Sequence, residues 1–310
     1  MDVFVLGSYV NANSLTVGRL PQAGESVCAD GCWVEHGGKG LNLALGMQRL
    51  GLNVDVLLAV GHDPAGDAAI QFLQAEGLNT DHVLRLGAVS GFGVGLIAPD
   101  GSNVIVVYPG ANALLGAAHV LEQEGSLAAA RLVCAQFEIP QAAVVQAFQM
   151  ARQRGITTLL NPSPWCEPVP ELLALTDILV LNEPEAALLF GLPQGKRSGV
   201  GEWLDRRSLS GFQGQWLVVT LAEWGCVAWA QGQAAVHVPA YPVRQLDPTG
   251  AGDAFTCGLA HAWLAGLGLL DALRFANACG AWVAARQGVL PALPDYAGIS
   301  RFMQQTAENG

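Results

Sequence analysis

The chain has 310 residues, 51% hydrophobic and only 13% charged, which fits a buried globular core and excludes a disordered chain. Its net charge of −11, with no run rich in Lys or Arg, argues against nucleic acid as a partner, since a phosphate backbone asks for clustered positive charge. A small anion stays compatible, because a helix N-terminus can hold one without basic side chains.

In chain order, MDVFVLG opens the sequence as a short strand with an acid at position 2, unlike a basic, apolar leader. Further strand candidates are Val54–Val60, Leu132–Ala135, Thr157–Leu160, Ile178–Leu181 and Leu217–Thr220, beside Val3–Leu6 at the start. Helical patterns lie between them at about Leu41–Leu50, Ala65–Glu76, Gln141–Arg154 and Glu185–Phe190. Two more follow, from Gly252 to about Leu264 and from Asp271 to about Arg286. This rhythm predicts an α/β fold, doubly wound, with a mainly parallel sheet sandwiched by helices. The central strands are apolar throughout, as expected when both sheet faces are covered.

Two regions break the rhythm. Residues 9–35 are polar, with Gly and Pro and no helical pattern. Residues 91–108 read as a hairpin around Pro99-Asp100-Gly101. Segments of about 9–35 and 88–110 are therefore expected to form a small β lid over the C-terminal edge of the parallel sheet, inserted within one α/β domain. The apolar faces of Val104, Val106 and Tyr108 need a cover, which predicts a homodimer through the lid. No membrane span is expected, because Asp271 and Arg274 interrupt the longest apolar stretch. Of the seven cysteines only Cys28 and Cys32 are close, and none stands at zinc spacing; buried, reduced thiols and a cytoplasmic setting are expected.

Four stretches carry chemistry. In EHGGKGLNLALGMQRLG, at 35–51, Gly37, Gly38 and Gly40 let the backbone bend and approach a ligand before a helix begins; a hinge before a core helix is the plainer reading. In DPTGAGDAF, at 247–255, Gly250, Ala251 and Gly252 leave amides unobstructed at a helix start, an anion hole with Asp253 beside it as a base for a hydroxyl. A turn with a capping Asp explains the same stretch. In NEPE, at 182–185, Asn182 and Glu185 either share a divalent ion through water or form a capping box. FEIP at 137–140 and NPSP at 161–164 place polar groups after strands.

Together and in this order, GGKGLNLA, NPSP, NEPE, VVTLAEWG and DPTGAGDAF resemble the ribokinase/PfkB family of carbohydrate kinases, from GSYVNAN at 7–13 to ARQGVLPALP at 285–294. The resemblance implies a single ribokinase-like domain over 1–310 that uses ATP and Mg²⁺ to phosphorylate a hydroxyl of a sugar or related alcohol. It makes Asp253 the general base and Gly250, Ala251 and Gly252 the anion hole. Asn11, Asn13, Gly38, Lys39, Asn42 and Glu138 become sugar contacts. Asn182, Thr220, Ala222, Gly225 and Asn277 fall where the nucleotide is held, with Asn182 and Glu185 organising Mg²⁺. Asp247 and Thr249 match a monovalent-cation site, usually for K⁺, although Ala292 replaces a hydroxyl residue there.

The chain also departs from the family. Asn13 stands where many members place an aspartate that grips sugar hydroxyls, and the segment around it is one residue longer. Ala222 replaces a common glycine, a small change by composition. Lys and Arg are scarce in the pocket, which favours a neutral sugar over a phosphorylated one. A nucleoside kinase is the nearest alternative, and an aromatic pair near the sugar, from Tyr9, Trp33, Phe92 or Tyr108, would favour it. A non-catalytic sugar or nucleotide sensor would have lost Asp253 or the glycines. A nicotinamide dehydrogenase would need GxGxxG after the first strand, which is missing.

Overall fold

Alternation along each central strand sends successive side chains to opposite faces, and here both faces are packed. In strand β1 (Val3–Leu6), Val3 and Val5 enter one apolar core while Phe4 and Leu6 enter the other. The first core lies under the helices Lys39–Arg49, Ala251–Leu264 and Leu269–Ala284; the second lies under the helix Gln141–Gln153. A side chain the size of Phe4 or Phe148, both fully buried, contributes about 1.5–3 kcal/mol by leaving water.

The computed structural model describes residues 1–100, 102–192, 198–206 and 212–308. The other strands are β2 (Val10–Val17), β3 (Ala29–Gly37), β4 (Val54–Val60), β5 (Val83–Arg85), β6 (Phe92–Ile97) and β7 (Asn103–Tyr108), then β8 (Leu132–Gln136), β9 (Thr157–Asn161), β10 (Ile178–Asn182), β11 (Trp216–Thr220), β12 (Cys226–Ala230) and β13 (Val236–Val238). Among the described residues the large sheet runs β13-β12-β11-β10-β9-β8-β1-β4-β5, parallel except for the β11-β12 and β12-β13 pairs. A separate sheet, ordered β3-β2-β6-β7, is the lid.

The mainly parallel fold with a β lid agrees with the expectation, and the six expected strands lie within a residue of their observed bounds. The antiparallel edge β12-β13, the short β5 and the last helix, Tyr296–Glu308, were not expected. Strands β2 and β3 fall within the 9–35 segment expected to form part of the lid, but their bounds were not legible, because a lid strand with both faces partly wet has little apolar alternation to show. Gly101 of the expected hairpin turn lies outside the described residues. The cysteines also differ: Cys134, Cys226, Cys257 and Cys279 are buried, but Cys28, Cys32 and Cys166 are exposed, because the lid surface and the segment after β9 leave them uncovered.

Hydrogen bonds fasten the lid at its base. The Asn112 side chain donates to Tyr9 O (2.7 Å) and accepts from Tyr9 N (3.1 Å). Asp63 accepts from the Ser90 amide (2.8 Å) and hydroxyl (2.6 Å).

Candidate active site

Strand order places a crevice. From β1 the chain crosses toward β4 and β5, and it later returns through β8 on the other side of β1. Beyond the C-terminal ends of β1 and β8 the connections part, which is where ligands of such sheets bind. Ser8 follows β1 and Glu138 follows β8. The Ser8 hydroxyl donates to Glu138 Oε2 at 2.5 Å, and the Lys39 amide donates to the same oxygen at 2.8 Å. The Gly40 amide points at Ser8 Oγ (3.2 Å). The Gln136 side chain is satisfied with its oxygen facing the amides of Gly40 (2.9 Å) and Ser8 (3.2 Å).

This closeness explains the glycines. Gly38 has φ 101°, and a Cβ on it would sit 2.8 Å from Ser8 O and Val10 N. A Cβ on Gly40 would come within 2.2 Å of Ser8 N. The expected hinge is real, and it presses the start of the helix Lys39–Arg49 against the end of β1.

That helix and Ala251–Leu264 bring Lys39, Asn42 and Asp253 together. Asp253 is only 4% exposed, in the first turn of its helix. Asn42 Nδ2 donates to Asp253 Oδ2 at 2.7 Å, and Lys39 Nζ stands 3.4 Å from Oδ1. Burial alone would push the Lys39 ammonium down, but Asp253, Glu138 and Glu185 outweigh it and hold it above its ordinary value. Asn42 Oδ1 is buried with no hydrogen-bond partner among the described residues. An orphaned buried acceptor is costly and marks a place for a donor from outside the chain.

Gly250 leads the Asp253 helix with φ 79°, in the left-handed region, and a Cβ there would strike Val289 at 2.5 Å. At Gly252 a Cβ would meet nothing within 4 Å, so the space on its side-chain side is open. The Ala251 amide is spent on Pro248 O (3.1 Å). Among the described residues the amides of Gly250, Gly252 and Asp253 have no such bond, so the group of free amides differs by one member from the expected three glycine-run positions.

Asn182 and Glu185 form the capping box: Glu185 N donates to Asn182 Oδ1 (2.8 Å) and Asn182 N donates to Glu185 Oε2 (2.9 Å). The box also has an electrostatic side. Burial pushes the Glu185 carboxyl above its ordinary value, partly offset by the Asn182 amide, the Ser163 hydroxyl and Lys39. Thr220 is the register partner of Asn182 on the next strand, and its hydroxyl donates to Leu181 O (3.4 Å). Gly225 has φ 87°, and a Cβ there would sit 2.1 Å from Val238 O. Ala222 has φ 51°, a left-handed backbone that favours glycine, so its exchange is not the small change that composition implies. Asn277 Nδ2 donates to Val238 O (3.0 Å) and Pro239 O (3.1 Å), holding the wall after β13.

Asp247 ties two loops together, accepting from Thr249 N (2.9 Å) and Gly288 N (3.3 Å). Arg49 donates to Leu290 O (2.5 Å), fixing the second loop to the Lys39 helix.

The lid corrects one expectation. Val10, Ala12, Gly37, Gly93 and Val107 share a face: a Cβ on Gly93 would lie 3.5 Å from Val10 Cγ1 and 3.8 Å from Val107 Cγ2, and one on Gly37 would lie 3.8 Å from Ala12 Cβ. Glu35, paired with Ala12, shares that face, and its Oε1 lies 3.7 Å from where a Gly288 Cβ would be. Since Val289 packs on Gly250, this face turns toward the Asp253 helix. Asn11 and Asn13 alternate with Val10 and Ala12 and so lie on the other face. There Asn13 Nδ2 donates to Asn11 O (3.1 Å) and Gly93 O (3.3 Å). The ring pair Phe92–Tyr108, with centroids 5.4 Å apart, is on the Asn11 side as well. A shift of one residue along a strand flips every side chain, so a motif match does not fix the face on which Asn13 lies.

A family model described as pfkB family carbohydrate kinase matches residues 1–295. The chain belongs to the pfkB family. It is similar to a ribokinase of Mus musculus, 31% identical over 284 residues that cover 89% of this chain and 86% of the relative. It is also similar to a deoxyribokinase of Salmonella typhi, 31% identical over 271 residues that cover 84% and 85%. Among solved structures, Arabidopsis thaliana ribokinase complexed with ribose and ATP superposes with a TM-score of 0.88 at 26% identity, covering 98% of both chains.

This pfkB-family chain is an ATP-dependent kinase acting on a sugar or nucleoside. Its sequence singled out Lys39, Asn42, Glu138 and Asp253, which the fold brings to one crevice. It did not single out Ser8 and Gln136, whose roles arise only from the meeting of β1 with β8. The serine directly after a glycine at a strand end was the available signal.

Proposed function

We propose that this pfkB-family kinase transfers the terminal phosphoryl group of ATP to a hydroxyl of a small neutral sugar. The observation that carries the reading is Asp253: a carboxylate buried at a helix start, held by Asn42 and Lys39, beside amides with no partner. The crevice floor consists mainly of acceptors, namely Asp253, the orphaned Asn42 Oδ1 and the Glu138 carboxylate. Such a floor asks for hydroxyl donors, and a phosphorylated or carboxylated sugar would repel it. The outward position of Phe92 and Tyr108 gives a base no stacking platform from that pair, which supports a sugar over a nucleoside.

Asp253 takes the proton of the acceptor hydroxyl, and the amides of Gly250, Gly252 and Asp253 face the charge that develops on the transferred group. Lys39 adds positive charge at the same place. Gly38, Lys39, Asn42 and Glu138 hold the sugar. Thr220, Ala222, Gly225 and Asn277 shape the nucleotide side with Asn182. The hard oxygen donors of Asn182 and Glu185 fit Mg²⁺ held through water, where it would offset phosphate charge. Asp247 and Thr249 organise a loop for K⁺. We also place the enzyme in the cytoplasm, on its seven free thiols, and pair it with a second copy through the lid.

The test is ADP release with ATP, Mg²⁺ and K⁺ against a panel of sugars and nucleosides. Phosphorylation of a free pentose or hexose is the expected result. Activity confined to nucleosides would overturn the sugar reading.

A further inference from the structure

The helix Lys39–Arg49 starts after Gly38 with no side-chain cap from its own segment and no acidic residue in its first turn. Its cap comes from another strand. Glu138, just past β8, accepts the Lys39 amide through Oε2 at 2.8 Å, and the positive end of the helix favours that charge. Ser8, just past β1, supplies a second donor to the same oxygen, its hydroxyl at 2.5 Å. Ser8 is fully buried, so its hydroxyl spends its proton on the protein. Backbone contact fixes its place: a Cβ on Gly7 would sit 2.4 Å from Gly40 Cα, and one on Gly40 would sit 2.2 Å from Ser8 N. Both donors meet one carboxylate oxygen, and among the described residues no hydrogen bond reaches Glu138 Oε1.

We infer that Ser8 is a positioning residue: its hydroxyl, together with the Lys39 amide, pins Glu138 Oε2 to the protein so that Oε1 stands free for a substrate hydroxyl. The inference rests on the reading of Glu138 as a sugar contact. An untethered carboxylate turns about its side-chain bonds and gives up that freedom only when the sugar binds. A carboxylate held by two donors has given it up beforehand, so less of the contact is spent on ordering. Ser8 makes no bond to Asp253, so its effect falls on holding the sugar rather than on the transfer step.

The experiment measures kcat, the KM of the best sugar and the KM of ATP for the full chain, Ser8→Ala, Glu138→Ala and the double variant, each checked for folding by its melting temperature. Ser8→Ala leaves no orphaned amide, because the Gln136 oxygen still takes the Gly40 amide at 2.9 Å. Loss of a hydrogen bond to a charged group should raise the sugar KM by about 10-fold or more. The values of kcat and of the ATP KM should stay within about 3-fold, the pattern of lost ground-state binding. In the Glu138→Ala background, Ser8→Ala should raise the sugar KM no further, since residues that act as one unit are not additive. Should Ser8→Ala fail to fold, Ser8→Cys, with a weaker donor in the same position, takes its place in the same cycle. Additive effects, or a sugar KM that the Ser8 variant leaves unchanged while Glu138→Ala raises it, overturn the inference alone. A Glu138→Ala variant with an unchanged sugar KM overturns the reading of Glu138 as a sugar contact, and this inference with it.

Discussion

Asn42 Nδ2 and Asp253 Oδ2 meet at 2.7 Å although 211 residues separate them in the chain. The bond joins two helices that cover the same face of the sheet, and it leaves the Asn42 oxygen without a partner among the described residues. It fixes one carboxylate oxygen and leaves the other, 3.4 Å from the Lys39 ammonium, to meet a hydroxyl. Asp253→Asn keeps the shape but cannot take a proton. Its turnover is expected to fall by about 10³-fold while ATP still binds, measured as ADP release and by calorimetry. Near-normal turnover would remove Asp253 as the base.

Asn42→Ala separates positioning from folding. It loses a hydrogen bond to a buried charge, about 1.5–3 kcal/mol, but also removes an orphaned acceptor that costs about 1–3 kcal/mol. The two nearly cancel, so the melting temperature should move little. The freed carboxylate should lower kcat by about 10- to 100-fold, since a displacement of roughly 1 Å in a reacting group has that effect. A large loss of stability with normal kcat in the folded fraction would show a structural role alone.

The central strands were legible because they are mostly apolar on both faces, and several end at a polar residue: ILVL before Asn182, LVVT ending at Thr220. The crevice residues were legible as motifs because Gly-rich turns must be Gly-rich to let strands and helices touch. The face of the lid was not legible. A sequence match of Asn13 to an aspartate carries no information on which way a strand side chain points. The use of the Ala251 amide by Pro248 and the strain at Ala222 are also backbone facts, invisible in residue type.

Ala222→Gly tests that strain. An alanine in the left-handed region costs about 1–2 kcal/mol, and glycine loses about 0.5–1 kcal/mol in backbone entropy. The difference predicts a gain of at most about 1.5 kcal/mol, read as a higher denaturant midpoint at an unchanged slope. A lower midpoint would mean that neighbouring contacts hold the alanine without strain.

Glu185 offers a pH test. Burial raises its folded pKa above the unfolded value, so the folded state binds the proton more tightly. Its contribution to stability is therefore fully present below the unfolded value, and it is lost as pH rises through the folded one. Glu185→Gln keeps an acceptor for the Asn182 amide and removes the ionisation. At pH 7 the variant should be more stable than the parent, and the advantage should vanish as pH falls toward the ordinary carboxylate range. Its turnover should drop, because the charge that serves Mg²⁺ and phosphate is gone. An advantage that persists unchanged at acidic pH would contradict the raised pKa.

The lid faces Val104, Val106 and Tyr108 into solvent at 47%, 66% and 51% exposure, on the side away from the Asp253 helix. They lie on β7, an edge strand with an unpaired ladder as well. An open apolar edge of this kind is either covered or prone to aggregate. A second copy offers the same surface and can cover it reciprocally. Light scattering at micromolar protein should give twice the chain mass of 32.3 kDa. Val104→Lys with Val106→Lys places two charges in that contact and should give the single-chain mass. Because these residues point away from the crevice, the monomer should still turn over ATP, with a raised KM for the sugar from a less steady lid and an unchanged KM for ATP. A wild-type protein that is monomeric at that concentration would refute the shared lid.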